Sequence, residues 1–406
     1  MSEFSQNGII STLHDFGTRS TEEIEKDLLK FSKERKMELI LPCLYSELEG
    51  SALPNIVEEI SKTKYLDHVI VGLDRANENQ AKKAWKFFKK LKSPFSILWN
   101  DGPALKKLDK ELKKKDLAPN ELGKGRNVWY CLGMSIARDT ARSVALHDCD
   151  IKTYDRRMLA KLFYPVVNPL FNFEFCKGYY PRIANNKMNG RVARLLVGPL
   201  LTALEKTIGQ SDYLNFMKSF KYPLAGEFSF RRNVLPELRI SSDWGIEVGI
   251  LSEMQRSFSP NNICQVDLAD AYDHKHQDLS IDDETKGLSK MSIDIIKTFI
   301  KKLATQGNSF SRETFRSLKA TYYRSALDLI DIYRSDAAMN GLKFDSHKEE
   351  EAVELFAVNI MKAGEAFYIN PMDTPFIPTW SRVKSAIPDF LVRLNEAVSE
   401  DNKKFI

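Results

Sequence analysis

Between Met37 and Asp150 the chain alternates short apolar runs with helical stretches, and this alternation restricts the fold more than any other property of the sequence. MELILP, residues 37–42, is an apolar run closed by proline, as buried parallel strands often are. DHVIVGLD (67–74) is a second run, followed by a helical pattern over 77–91 and a third strand candidate, PFSILW (94–99). Residues 127–140 read as helix, and SVALHD (143–148) as a strand running into Asp148-Cys149-Asp150. A polar helix over 20–36 precedes the series, and 171–177 and 262–268 are further strand candidates. Strands joined by helical crossovers predict an α/β fold, an open and mostly parallel sheet with helices on both faces. In such sheets ligands bind beyond the carboxyl ends of the strands, and Ser46, Asp74, Asp148 and Asp150 fall at or just after those ends. From about Leu288 the strands give way to helical periodicity in MSIDIIKTFIKKLA, RSALDLIDIYR and EEEAVELFAVNIMKAGEAF, so a helical C-terminal portion is expected.

Composition mainly excludes. No apolar run reaches the roughly 18 residues that cross a bilayer, and the start lacks the basic-then-apolar layout of a secretory signal, so a cytoplasmic chain without membrane contact is expected. The five cysteines are odd in number, scattered and never in a CxxC pair, which reads as reduced thiols. KKAWKFFKKLK and KKLDKELKKKD could invite a nucleic-acid reading, but Trp85, Phe87, Phe88 and Leu91 lie near helical spacing between the lysines. That is a helix packing one face while its lysines reach water, so no nucleic-acid partner is expected. The formal charge of +5 is mild and compatible with a small anionic substrate.

Chemistry concentrates in a few segments. Asp148-Cys149-Asp150 at a strand end can present carboxylate oxygen to Mg2+ or Mn2+ gripping a diphosphate, although Asp-x-Asp alone is common by chance. His274 and His276, in YDHKHQ, are imidazoles that could join such a site, whereas His14, His68, His147 and His347 read as structural. In Gly123-Lys124-Gly125-Arg126 the glycines let backbone approach a ligand while Lys124 reaches an anionic oxygen; the spacing is not that of a P-loop. YPLAGEFSFRR (222–232) and DWGIEVG (243–249) set Glu227 and Glu247 among glycines and aromatics, where each either accepts substrate hydroxyls or pairs with Arg231 or Arg232. In NGRVA, Arg191 follows Gly190 and is suited to fork a phosphate or carboxylate.

Taken in order, LPCLYSE, VGLD, GKG, DCD, NGRVA, PLAGEF, WGIEVG and DHKH resemble the glucosyl-3-phosphoglycerate synthases, retaining transferases of the GT-A fold, from about Met37 to Leu279. The resemblance implies a Rossmann-like nucleotide-diphosphosugar transferase with a donor-binding half over 37–150 and an acceptor-binding half over 151–280. Residues 1–36 would be a helical extension, and 281–406 a helical region outside the catalytic machinery, suited to forming a homodimer. It implies that Pro42, Leu44, Ser46 and Asp74 line the nucleotide pocket, and that Lys124, Asp148, Cys149, Trp244 and Glu247 face the donor. Asp150 and His274 would hold Mg2+ or Mn2+, and Gly190, Arg191, Val192 and His276 would take an anionic phosphoglycerate. Glu247, Lys124 and Asp150 would carry catalysis, moving glucose from UDP-glucose or a similar donor to 3-phospho-D-glycerate. A mannose donor, a glycerate acceptor and a non-catalytic nucleotide-sugar-binding protein are the alternative readings.

Overall fold

The computed structural model describes residues 6, 8–119, 121–274, 287–371 and 376–405, so His276 lies outside the described residues. Its strands are β1 (Ser11–Leu13), β2 (Met37–Leu44), β3 (Leu66–Asp74), β4 (Phe95–Trp99), β5 (Ser143–Leu146), β6 (Phe175–Tyr179), β7 (Ile183–Ala184), β8 (Lys187–Met188), β9 (Phe228–Arg231), β10 (Ile240–Ser241), β11 (Ile263–Asp267) and β12 (Phe376–Ile377). The helices through the sheet region are α1 (Thr21–Phe31), α2 (Ala52–Ser61), α3 (Glu78–Phe88), α4 (Pro103–Lys113), α5 (Lys124–Arg138), α6 (Arg156–Val167), α7 (Gly198–Ile208), α8 (Asp212–Lys218) and α9 (Ile246–Ser257). Then come α10 (Gly287–Thr305), α11 (Arg312–Met339), α12 (Ser346–Ile369), α13 (Trp380–Ala386) and α14 (Phe390–Lys403).

Eight strands form one sheet in the order β1-β11-β6-β9-β5-β2-β3-β4. All pairings are parallel except those of β9, which runs antiparallel to both β5 and β6. The strands expected from the apolar runs are present, with bounds shifted by a few residues. Their side chains alternate between two cores, Leu39, Leu41, Val69 and Val71 facing one layer of helices while Ile40, Ile70 and Leu98 face the other. Burial on both faces explains why the runs are continuously apolar rather than alternating. The helices begin where sequence chemistry provides caps: Ser20 and Asn77 each form a reciprocal capping box, with Glu23 and Gln80 respectively.

One expectation needs correction. The first 36 residues are not a purely helical extension, because Ser11–Leu13 pairs in parallel with β11 and forms one edge of the sheet. Three residues are too few to display a strand period. The helices beyond residue 280 join the body of the fold: Ile295, Phe299, Leu318, Phe356 and Trp380 share one core with Ile40, Ile70 and Trp129. The indole of Trp380 stacks on Trp129 at 4.0 Å between centroids, and its Nε1 donates to the Trp129 carbonyl at 3.0 Å. At the far sheet edge Asn402 accepts from Ile97 N–H at 2.9 Å and donates to the Ile97 carbonyl at 2.6 Å, standing in for a neighbouring strand. Among the described residues no helix is long and apolar enough to cross a membrane.

Candidate active site

The carboxyl ends of β2, β3, β5, β6 and β11 open on one side of the sheet, as parallel pairing requires. There the Lys124 ammonium, at the start of α5, lies 2.7 Å from Asp148 Oδ1 and 3.1 Å from Glu247 Oε1. Burial pulls the Lys124 pKa down, but Asp148 and Glu247 outweigh it and raise it above the ordinary lysine value. Burial likewise pushes Asp148 up, and Lys124 more than cancels this, so its carboxyl stays below the usual range. Glu247 sits in the first turn of α9, where the helix dipole favours an anion. Gly226 makes this approach possible: a Cβ there would stand 2.5 Å from Asp148 Oδ2 and 3.0 Å from Lys124 Nζ.

Beneath this cluster Tyr180 and Tyr272 stack with centroids 3.6 Å apart, and both hydroxyls donate to the buried Glu227 carboxylate at 2.6 Å. Burial pushes the Glu227 pKa up, with Asp148 adding to the effect. Glu227 is therefore a strut for two tyrosines. The alternative ion pairs also fail, since Arg231 pairs with Glu174 and Arg232 with Asp139. Nearby, the buried Lys177 donates to the Ala225 carbonyl, and burial lowers its pKa to about 8.

Asp150 Oδ2 lies 3.4 Å from His274 Nδ1, while Asp150 Oδ1 is buried with no hydrogen-bond partner among the described residues. A hard cation would satisfy that orphaned oxygen. Among the described residues no group of three His, Cys, Asp or Glu side chains converges on one point. A carboxylate and an imidazole would leave most of an octahedral shell to ligand oxygens, which suits a cation shared with a diphosphate. His147 is structural, as expected: its Nδ1 lies 3.0 Å from the Asp148 carbonyl oxygen, and burial lowers its pKa to about 4. Cys149, between the two carboxylates, is 3% exposed and packs in the core.

A cavity of about 240 Å3 joins Lys124, Asp148, Trp244, Glu247 and His274 to Gly190, Arg191 and Val192. Gly190 takes a left-handed φ of 77°, and a π-helical turn, Val192–Val197, follows at once. Such turns recur at functional sites. Pro42, Leu44, Ser46 and Asp74 do not line this cavity; Leu44 and Asp74 are register partners at the ends of β2 and β3. Burial, with Asp101 nearby, raises the Asp74 pKa. The sequence reading missed Arg182 and Tyr222 in the wall, and Leu288, Met291 and Ile295 of α10. An arginine just past a strand end in KGYYPR was a usable signal for Arg182; the α10 side chains gave none, because they look like an ordinary amphipathic stripe.

A largely parallel sheet with an acid–lysine cluster and a carboxylate–histidine pair at its strand ends defines the class, a nucleotide-diphosphosugar transferase of GT-A fold. No protein-family model matches the chain. It is 43% identical over 402 residues to a glucosyl-3-phosphoglycerate synthase of Persephonella marina, covering 99% of both chains, and 38% identical over 400 residues to that of Methanococcoides burtonii, covering 98% and 97%. The chain belongs to the glucosyl-3-phosphoglycerate synthase family. The Mycobacterium tuberculosis glucosyl-3-phosphoglycerate synthase, solved with Mn2+, UDP-glucose and phosphoglyceric acid, shares the fold at a TM-score of 0.54 and 20% identity over 74% of this chain and 89% of that one. A mannosyl-3-phosphoglycerate synthase of Rubrobacter xylanophilus does so at 0.54 and 19% identity, covering 74% and 83%. The similarity to the two curated relatives runs almost end to end, so it continues through the C-terminal helices, beyond the limit near Leu279 expected from motifs.

Proposed function

We propose that the chain transfers glucose, with retention at the anomeric carbon, from UDP-glucose to the hydroxyl of 3-phospho-D-glycerate. The observation carrying this is the cluster at the strand ends, a lysine held between two carboxylates beside a carboxylate–histidine pair, in a chain 43% identical to a glucosyl-3-phosphoglycerate synthase. Asp150 and His274 would hold Mn2+ or Mg2+, the ions present with UDP in the similar Mycobacterium structures. When bound, the cation supplies positive charge against the departing diphosphate. Lys124 provides a second positive charge, kept protonated and aimed by Asp148 and Glu247 before the donor arrives. Glu247, tied to Lys124, suits orienting the sugar through its hydroxyls rather than attacking the anomeric carbon. Pro42, Leu44, Ser46 and Asp74 take the base and ribose, with the backbone at Cys149 and the half-exposed Trp244 completing the donor side. Gly190, Arg191 and Val192 receive the acceptor, the Arg191 guanidinium forking its phosphate.

We assign the reaction to the cytoplasm, since all five cysteines are buried free thiols and suit a reducing compartment. We assign a homodimer through the exposed Ile332, Met339, Val358 and Ile369 of α11 and α12, to be checked by light scattering.

The test is a transferase assay with 3-phosphoglycerate and a panel of nucleotide glucose and mannose donors, with and without divalent metal. Metal-dependent turnover of a glucose donor, abolished by Asp150→Ala and by His274→Ala, is the expected result. Turnover indifferent to both substitutions would discard the metal pair, and turnover of mannose donors alone would move the chain to the mannosyl reaction.

A further inference from the structure

Arg191 does not stand alone at the cavity. Its Nε donates to Glu349 Oε1 at 2.9 Å, and the same carboxylate accepts from Arg194 Nη2 through Oε2 at 2.8 Å. Glu349 belongs to the first turn of α12, in the helical region, and is 5% exposed. Arg194 in turn holds the loop that precedes Arg191, donating from Nε to the Asn189 carbonyl at 2.9 Å and from Nη2 to the Met188 carbonyl at 3.3 Å. Its guanidinium lies 4.8 Å from the ring centroid of Tyr333 on α11. A separate contact joins the same two regions: Lys343, between α11 and α12, bridges to Lys187 and donates from its backbone to the Asn186 carbonyl at 2.7 Å, docking on the β7–β8 hairpin.

The chemistry of this arrangement is specific. An arginine has five donors, and using Nε on a buried carboxylate constrains the plane of the guanidinium while leaving the Nη donors of a cavity-lining residue to other acceptors. Gly190 holds a left-handed φ of 77° that favours glycine, and Arg194 pins the two carbonyls before it. We infer that Glu349 is a positioning residue for acceptor recognition, acting through Arg191 and Arg194 to hold the 188–191 loop in its anion-receiving shape. The C-terminal helices thereby form part of the acceptor site: α12 sets its cation and α10 walls it with Leu288, Met291 and Ile295. This rests on the reading of Arg191 as the acceptor-phosphate ligand.

The experiment compares wild type with Glu349→Gln, Glu349→Asp and Arg191→Ala on the metal-loaded enzyme, measuring KM for each substrate and the calorimetric Kd for 3-phosphoglycerate in the presence of UDP. Glu349→Gln keeps the shape of the side chain but not its charge, and is expected to weaken 3-phosphoglycerate by about ten-fold or more while the UDP-glucose KM stays within about two-fold, as loss of an orienting partner does. Glu349→Asp is expected to recover part of that loss. In an Arg191→Ala background Glu349→Gln is expected to weaken the acceptor Kd clearly less than it does in wild type, since only the Arg194 arm remains for Glu349 to position. Equal weakening of donor and acceptor, an unchanged acceptor Kd in Glu349→Gln, or full additivity with Arg191→Ala would each overturn the inference. If Glu349→Gln fails to fold, Glu349→Asp is read by the same criteria. A wild-type chain that binds no 3-phosphoglycerate would instead overturn the proposed function, and the inference with it.

Discussion

Asp148 and Glu247 hold Lys124 protonated in a site where burial alone would favour the neutral amine, so the positive charge exists before any donor binds. Lys124→Met should therefore cut kcat by about 100-fold or more while changing the UDP-glucose KM far less, read from steady-state kinetics. His68 gives a different test. It is buried with Nε2 against Ser96 Oγ at 2.9 Å, and burial lowers its pKa from 6.5 to about 4. Between these values the unfolded chain binds a proton that the folded chain refuses, so the contribution of His68 is complete above pH 6.5 and is lost as pH falls toward 4. Urea unfolding at neutral and mildly acidic pH should show a shallower acid loss in His68→Asn than in wild type, by of order 2 kcal/mol. At this scale the sequence was legible where residue type and spacing carry chemistry, as in Asp148-Cys149-Asp150 and Gly123-Lys124-Gly125. It was illegible where function depends on distant partners. Nothing local says that Tyr180 and Tyr272 stack, or that Glu227 serves them rather than a sugar.

Strands buried on both faces announce themselves by unbroken apolar runs, so β2 and β3 could be read directly. β9 could not. It has only four residues, ends in arginine, and runs antiparallel to both neighbours in a sheet that is otherwise parallel. β4 poses a further question of stability, because it lies at the end of the strand order and an open edge invites pairing with other chains. Asn402 on α14 closes part of that edge by meeting both backbone groups of Ile97. Asn402→Leu fills similar space but strands a buried donor and acceptor, and should destabilise the fold by about 2–4 kcal/mol, seen as a lower urea midpoint with an unchanged slope.

The indoles of Trp129 and Trp380 form a clasp between the donor half and the C-terminal helices, with Trp129 Nε1 donating to the Pro378 carbonyl at 2.9 Å and Trp380 Nε1 returning a bond to Trp129. A chain ended after residue 371, lacking α13 and α14, should melt non-cooperatively and be cut rapidly by protease across β4 and α5; a sharp, unshifted melt would show instead that the clasp is dispensable. This interdependence also explains why the helical portion looked like an appendage in the sequence. Amphipathic stripes do not say which surface they cover, and the contacts that decide it span far more chain than any local pattern. The same wiring sets an order of events in synthesis. Asn402 emerges from the ribosome 305 residues after Ile97, the backbone it must satisfy. A nascent chain thus carries an unsealed strand edge and a bare sheet face while the intervening residues are made, and cannot complete this contact until α14 has emerged. Slow elongation or a shortage of chaperones should therefore lower the yield of this protein more than that of a chain whose sheet is closed by its own neighbours.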